Sequence, residues 1–172
     1  MALQTAVTQY GKFVFASLYD TKELVRYGRQ SGEIKTIALP TAAKGPIQLY
    51  ATPGSKLFYV ADQGELMERP VSNKVFVTDI ANAKIISTIV AGNKAHGVGV
   101  SNDGTTVYVT NSINNTVSVT DVTAQKLTRT IPIGKGPNGI SYWDESGGMP
   151  KTKNIFFFIY KKNFNYATQT IY

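Results

Sequence analysis

Cysteine is absent from this 172-residue chain, which removes disulfides, thiolate metal sites and cysteine nucleophiles together. Histidine occurs once, as His96, so neither a histidine pair, a multi-histidine metal centre nor a His-based triad can be assembled. No apolar run approaches the ~20 residues of a membrane-crossing helix, and the most apolar stretch, 155–160, is far too short. Helical periodicity is missing throughout. The start, Met1-Ala2-Leu3-Gln4-Thr5, has neither a basic region nor a long apolar core, so no signal peptide is expected. Acidic side chains are also missing from the tail. All 11 lie before residue 150, whereas Lys151, Lys153, Lys161 and Lys162 lie beyond it. The formal charge of +7 thus divides into 14 − 11 = +3 for the first 150 residues and +4 for the tail.

A basic excess invites a nucleic-acid partner. Here it is concentrated in a terminal segment, and no aromatic–basic platform for single strands is spaced along the chain. A solvated tail is therefore expected, and no nucleic-acid surface. Hydrophobic residues at 42% and charged residues at 17% call for a packed core, in one domain at this length.

What is present is repetition. Lys12-Phe13-Val14-Phe15-Ala16-Ser17 is echoed by Lys56-Leu57-Phe58-Tyr59-Val60-Ala61, and again by Thr105-Thr106-Val107-Tyr108-Val109-Thr110. Ala95-His96-Gly97-Val98 corresponds to Pro137-Asn138-Gly139-Ile140 and to Pro46-Ile47-Gln48-Leu49. Spacings in the forties with alternating Val, Thr and Tyr predict four short strands per unit. In the clearest unit these fall near 97–101, 106–110, 116–120 and 126–133, with a turn at Ser101-Asn102-Asp103-Gly104. The expected class is all-β: a β-propeller of four-stranded antiparallel blades. Units are expected at about 1–44, 45–93 and 94–135, with the start of a fourth at 136–145 and a divergent basic and aromatic tail at 146–172. Three units and a beginning are too few for a closed ring, so the ring is expected to be incomplete, and open blade faces invite self-association.

The words Val107-Tyr108-Val109-Thr110-Asn111, Thr116-Val117-Ser118-Val119-Thr120-Asp121 and Gly136-Pro137-Asn138-Gly139-Ile140, strung together, resemble the YVTN-family β-propeller repeat, a WD40-like arrangement. The resemblance is strong over 92–142 and degenerate over 1–62. It implies a seven-bladed protein of which this chain is a partial or truncated copy. It also implies a bacterial or archaeal protein, periplasmic or extracellular, that binds a small ligand or protein without catalysis. A related redox propeller holding haem, metal or a quinone-type cofactor is the alternative, and no cofactor is assigned.

His96 is placed by the repeat in the connection leading into an innermost strand, level with Ile47 and Asn138. The 62–73 segment, longer than its counterpart 111–115, is expected to project on the same face. Long loops on a rigid β-scaffold are where binding surfaces are built. His96, Asn138, Glu65, Glu68 and Arg69 are therefore the candidate ligand or partner face. The plainer alternative is an ordinary loop histidine beside solvated charges. Asp79, Asp103 and Asp121 recur at turns, which points to backbone hydrogen bonding and away from acid–base work. The Gly134–Gly139 loop lacks a following helix and is not read as a phosphate loop.

Overall fold

The computed structural model describes residues 1–142 and, beyond them, the backbone of the strands Ile155–Ile159 and Ala167–Ile171. The expectations for the last residues of the fourth unit, and for most of the 146–172 tail, lie outside the described residues. Strands β1 (Ala2–Val7), β2 (Phe13–Leu18), β3 (Glu23–Gly28) and β4 (Ile34–Ala38) form a first antiparallel sheet in chain order. A second holds β5 (Pro46–Ala51), β6 (Leu57–Gly64), β7 (Val71–Asp79) and β8 (Lys84–Val90). A third holds β9 (Ala95–Val100), β10 (Thr106–Asn111), β11 (Thr116–Asp121) and β12 (Lys126–Pro132). The fourth pairs β13 (Pro137–Tyr142) with β14 (Ile155–Ile159), and β14 with β15 (Ala167–Ile171). Among the described residues no helix is long and apolar enough to cross a membrane.

Strict alternation makes these strands. Val107 and Val109 point to one side of the third sheet, Tyr108 and Thr110 to the other, as a pleat requires. The turns are equally local. Gly104 takes φ 71°, and the Asp103 carboxylate accepts the Thr105 amide at 3.0 Å. Asp79 and Asp121 do the same for the Asn82 and Ala124 amides. The hydroxyl of Ser101 is the main cause that holds the Asp103 carboxyl below its usual pKa, and for Asp79 it is the Asn82 amide. These three aspartates brace turns.

Sheets meet face to face. Phe15, Leu24 and Ile37 of the first sheet pack on Leu49, Phe58, Val60 and Phe76 of the second. The Phe15 and Phe58 rings lie 4.4 Å apart at 47°. Tyr59, Val75 and Val77 on the far side of the second sheet pack on Val98, Val107 and Val109 of the third. Tyr108 stacks on Tyr142 of β13 at 6.0 Å. Phe15, Tyr59 and Tyr108 share one register position, opposite Arg26, Val77 and Val119. Each junction thus presents an aromatic from the preceding sheet to the next.

Two polar devices supplement this packing. Arg26 is 2% exposed where the other units carry valine. It donates to the carbonyls of Ile80 at 2.9 Å and Ala81 at 2.7 Å, across the junction, and pairs with Glu33 at 2.8 Å. The second device closes the loops ahead of β5 and β9. The buried Asp62 carboxylate accepts the amides of Lys44 and Gly45, and Asn111 accepts the amide of Gly92 at 2.9 Å. Gly45 must lack a side chain, because a Cβ there would lie 2.0 Å from the Tyr19 ring. The chain therefore runs first sheet, second, third, fourth, and the first and fourth sheets do not close on each other, leaving an incomplete ring.

Candidate functional site

The innermost strands β1, β5, β9 and β13 begin with equivalent residues. Ala2 faces Leu18, Pro46 faces Asp62, and Ala95 faces Asn111. The second residues, Leu3, Ile47, His96 and Asn138, therefore take one position on four strands. His96 was expected in the connection before its strand. It lies inside β9 instead, because Ala95 already pairs with Asn111.

Leu3, Ile47 and His96 line a cavity of about 430 Å³, together with Gln4, Gln48, Gln63 and Leu66. The His96 Nδ1 faces the Oε1 of Gln63, which is 4% exposed. An amide oxygen can only accept, so Nδ1 carries the proton and Nε2 keeps its lone pair. Burial pushes the imidazole pKa down from 6.5 to about 4, and the Lys94 ammonium adds to the shift. At neutral pH the ring is uncharged. Gln4 also borders a second cavity of about 660 Å³, lined by Thr5, Leu49, Tyr50, Thr52, Pro53 and Asn102 among others. Among the described residues no Lys, Arg, Asp or Glu lines either cavity.

The 62–73 segment is less of a loop than its length suggested. Pairing continues through Gly64 opposite Val71, so only 65–70 leaves the sheet. Arg69 ties that loop down. It donates to the carbonyls of Tyr19 at 2.6 Å, Asp20 at 2.8 Å and Lys44 at 3.1 Å, and its guanidinium sits 4.8 Å from the Tyr19 ring centre. The Tyr19 hydroxyl donates to the Leu66 carbonyl at 2.8 Å, which holds Leu66 against the cavity. Glu65 pairs with Lys94, the residue two before His96. Glu68 is exposed, with φ 60°.

The structure therefore gathers His96 with the loop that carries Glu65 and Arg69, although those two charged side chains do not line the cavity. Asn138 does not line it either. Its Oδ1 is buried with no hydrogen-bond partner among the described residues. The cavity's glutamines went unnoticed in the sequence, since a lone Gln in a strand carries no motif. Gln63 lies within the 62–73 segment, and the repeat sets Ile47 level with His96. Among the described residues no group of three or more His, Cys, Asp or Glu is arranged to hold a metal ion.

No family model matches the sequence, and no curated protein does. Among solved structures the chain is similar to hydrazine synthase of Kuenenia stuttgartiensis, a protein that contains a β-propeller, with a TM-score of 0.82 at 19% identity. The match covers 99% of this chain and 45% of that one, so this chain spans less than half its length. Likeness at this identity carries the fold and not the chemistry: four-stranded antiparallel sheets arranged as in a β-propeller, in an open ring.

Proposed function

We propose that this chain is a non-catalytic β-propeller scaffold that binds an uncharged ligand, or an uncharged part of a protein partner, at the inner-strand cavity beside His96. One observation carries this reading: in a chain of net charge +7, the described residues that line the two inner cavities include no formal charge. Amides from Gln4, Gln48 and Gln63, a neutral imidazole acceptor and the apolar Leu3, Ile47 and Leu66 suit a ligand with hydroxyl or amide donors and an apolar face. An ionic ligand entering there would lose hydration without finding a counter-charge. Membership of the YVTN family, and with it an exported protein, rests on the repeat words alone. The redox alternative has one imidazole to build on, and the fold match brings no residue of this chain to it.

The test follows the His96 ring protons by NMR during titration with two uncharged probes, N-acetylglucosamine and N-acetylglycine amide. The charged counterparts glucuronate and N-acetylglycine serve as controls. The uncharged pair is expected to shift the His96 resonances and the Gln63 side-chain amide saturably, and His96→Ala to abolish the shift at Gln63, with no effect of the acids. Shifts produced only by the acids, or by none of the four, would remove the proposal.

A further inference from the structure

The bridge that Arg26 makes between the first two sheets uses only part of its guanidinium. Nη1 alone makes both bonds across the junction, to the carbonyls of Ile80 and Ala81. Those carbonyls carry no formal charge, so the charge of this buried side chain is left to be balanced elsewhere. The other edge, Nε with Nη2, is the one that a carboxylate or phosphate grips through two parallel bonds. Here that edge is half used. Glu33 Oε2 accepts from Nη2 at 2.8 Å, while its Oε1 turns to the Lys35 ammonium at 3.3 Å. The Arg26 Nε is buried with no hydrogen-bond partner among the described residues, a costly state for a charged donor. Arg26 lines a cleft of about 340 Å³ with Lys12, Phe13, Ser31, Glu33 and Lys35. The Phe13 ring centre lies 4.5 Å from the guanidinium carbon and 5.3 Å from Lys12 Nζ, so one aromatic face serves two cations. Phe13 pairs with Gly28 at the end of the sheet away from Ala2, Leu18 and the His96 cavity.

We propose that this cleft binds a phosphate monoester, carried on a small molecule or on a serine side chain, and that Glu33 occupies Arg26 until the ester displaces it. Among the described lining residues Lys12, Arg26 and Lys35 face the single carboxylate of Glu33, which leaves 3 − 1 = +2. A phosphate ester brings about −1.5 to −2 at neutral pH and three acceptor oxygens. A carboxylate ligand would leave one cation unmatched. Glu33 is the part that moves: its side chain is 46% exposed, and it sits on the turn between β3 and β4. Swung outward, it frees Nη2 beside the unmet Nε, and the two present a pair of donors to two phosphate oxygens. Lys12 and Lys35 supply the remaining charge. The Ser31 hydroxyl accepts the Glu33 amide at 3.2 Å, which leaves its proton free to donate to the ester. The cleft shares no lining residue with the cavity beside His96, so it stands whether or not that cavity takes a ligand.

The Arg26 Nε–H resonance of isotope-labelled full chain reads the site directly. It is assigned through bonds from the Arg26 side-chain carbons, so no variant of the buried arginine is needed. The titrants are glycerol phosphate and N-acetyl-O-phosphoserine amide at neutral pH, with acetate and sodium chloride as controls at matched ionic strength. At least one ester is expected to shift the resonance saturably, with the tighter of the two naming the carrier, and neither control should do so. Glu33→Gln removes the competing charge and should tighten ester binding about tenfold. Lys12→Gln combined with Lys35→Gln, both at exposed positions that the fold tolerates, should weaken it by about tenfold or more. No saturable shift with either ester, an equal shift with acetate or chloride, a Glu33→Gln chain that binds no tighter, or a double lysine variant that binds as well would each overturn the proposal.

Discussion

Ser17 and Thr110 occupy the same register position in the first and third sheets and make the same pair of hydrogen bonds. The Ser17 hydroxyl accepts the Gln4 amide at 3.2 Å and donates to the Ile47 carbonyl at 2.7 Å. That of Thr110 accepts the Gly97 amide at 2.8 Å and donates to the Asn138 carbonyl at 3.0 Å. One hydroxyl therefore ties its own innermost strand to that of the next sheet. The second sheet has Ala61 at this place and no such tie.

Thr110→Val keeps the shape and strands both partners in the interior. The expected cost is about 1–3 kcal/mol in urea unfolding. Ser17→Ala should lose a similar amount, and the double variant close to the sum, because the two ties are separate. Strong non-additivity would mean that the sheets do not pack as independent junctions.

Asp62 is the stronger anchor, since one buried carboxylate accepts two loop amides, Lys44 and Gly45, the latter at 2.6 Å. Asp62→Ala should cost about 2–3 kcal/mol and speed hydrogen exchange at the Gly45 amide. Asp62→Asn should retain part of the stability, because Asn111 does the equivalent work one sheet later. Unchanged exchange at Gly45 in the alanine variant would refute the role.

Tyr59 and Tyr19 make opposite predictions for loss of a hydroxyl. The Tyr59 hydroxyl is buried with no hydrogen-bond partner among the described residues, and burial, with Asp121 nearby, pushes its pKa up to about 12. Tyr59→Phe should be neutral or stabilising by about 1 kcal/mol, whereas Tyr19→Phe, which loses the bond to Leu66, should cost about that much. The folded pKa lies above the unfolded value of 10, so the parent chain should lose stability as pH rises from 10 towards 12. Alkaline melts of Tyr59→Phe should lack that component.

His96 sets the acid side. Its folded pKa of about 4 lies below the unfolded 6.5, so between those values the unfolded chain binds the proton that the folded chain refuses. Stability should therefore fall as pH drops from 6.5 to 4, by at most about 3 kcal/mol, and less to the extent that water reaches the ring. His96→Gln should flatten denaturant midpoints across that window. Asp79 and Asp103, whose pKa values are lowered from 3.8, act only in more acid solution. An unaltered pH profile in His96→Gln would show that the imidazole is not buried as described.

Much of the architecture was legible in the chain itself. The strands expected near 97–101, 106–110 and 116–120 are found at Ala95–Val100, Thr106–Asn111 and Thr116–Asp121, and β12 at Lys126–Pro132. The errors fall at strand ends, where pairing with a neighbour decides the boundary. Ala95 joins β9 because Asn111 faces it, and Gly64 extends β6 because Val71 does. Those two pairings moved His96 into a strand and shortened the expected loop.

Alternation, turn residues and spacing determined an all-β repeat with four strands per unit, because pleating and turn sterics act between neighbours in sequence. They also marked Asp79, Asp103 and Asp121 as turn braces for the same reason. Only the tertiary structure decided which equivalent residues meet. Gln63 reaches His96 across 33 residues, and Arg26 reaches Ile80 across 54. It also decided that Val14 and Ala16 are only half-buried while Val107 and Val109 are fully buried. Those four residues belong to similar words, and nothing within a word records whether another sheet lies in front of it. Burial is a property of what packs against a strand, and that neighbour is supplied by distant chain.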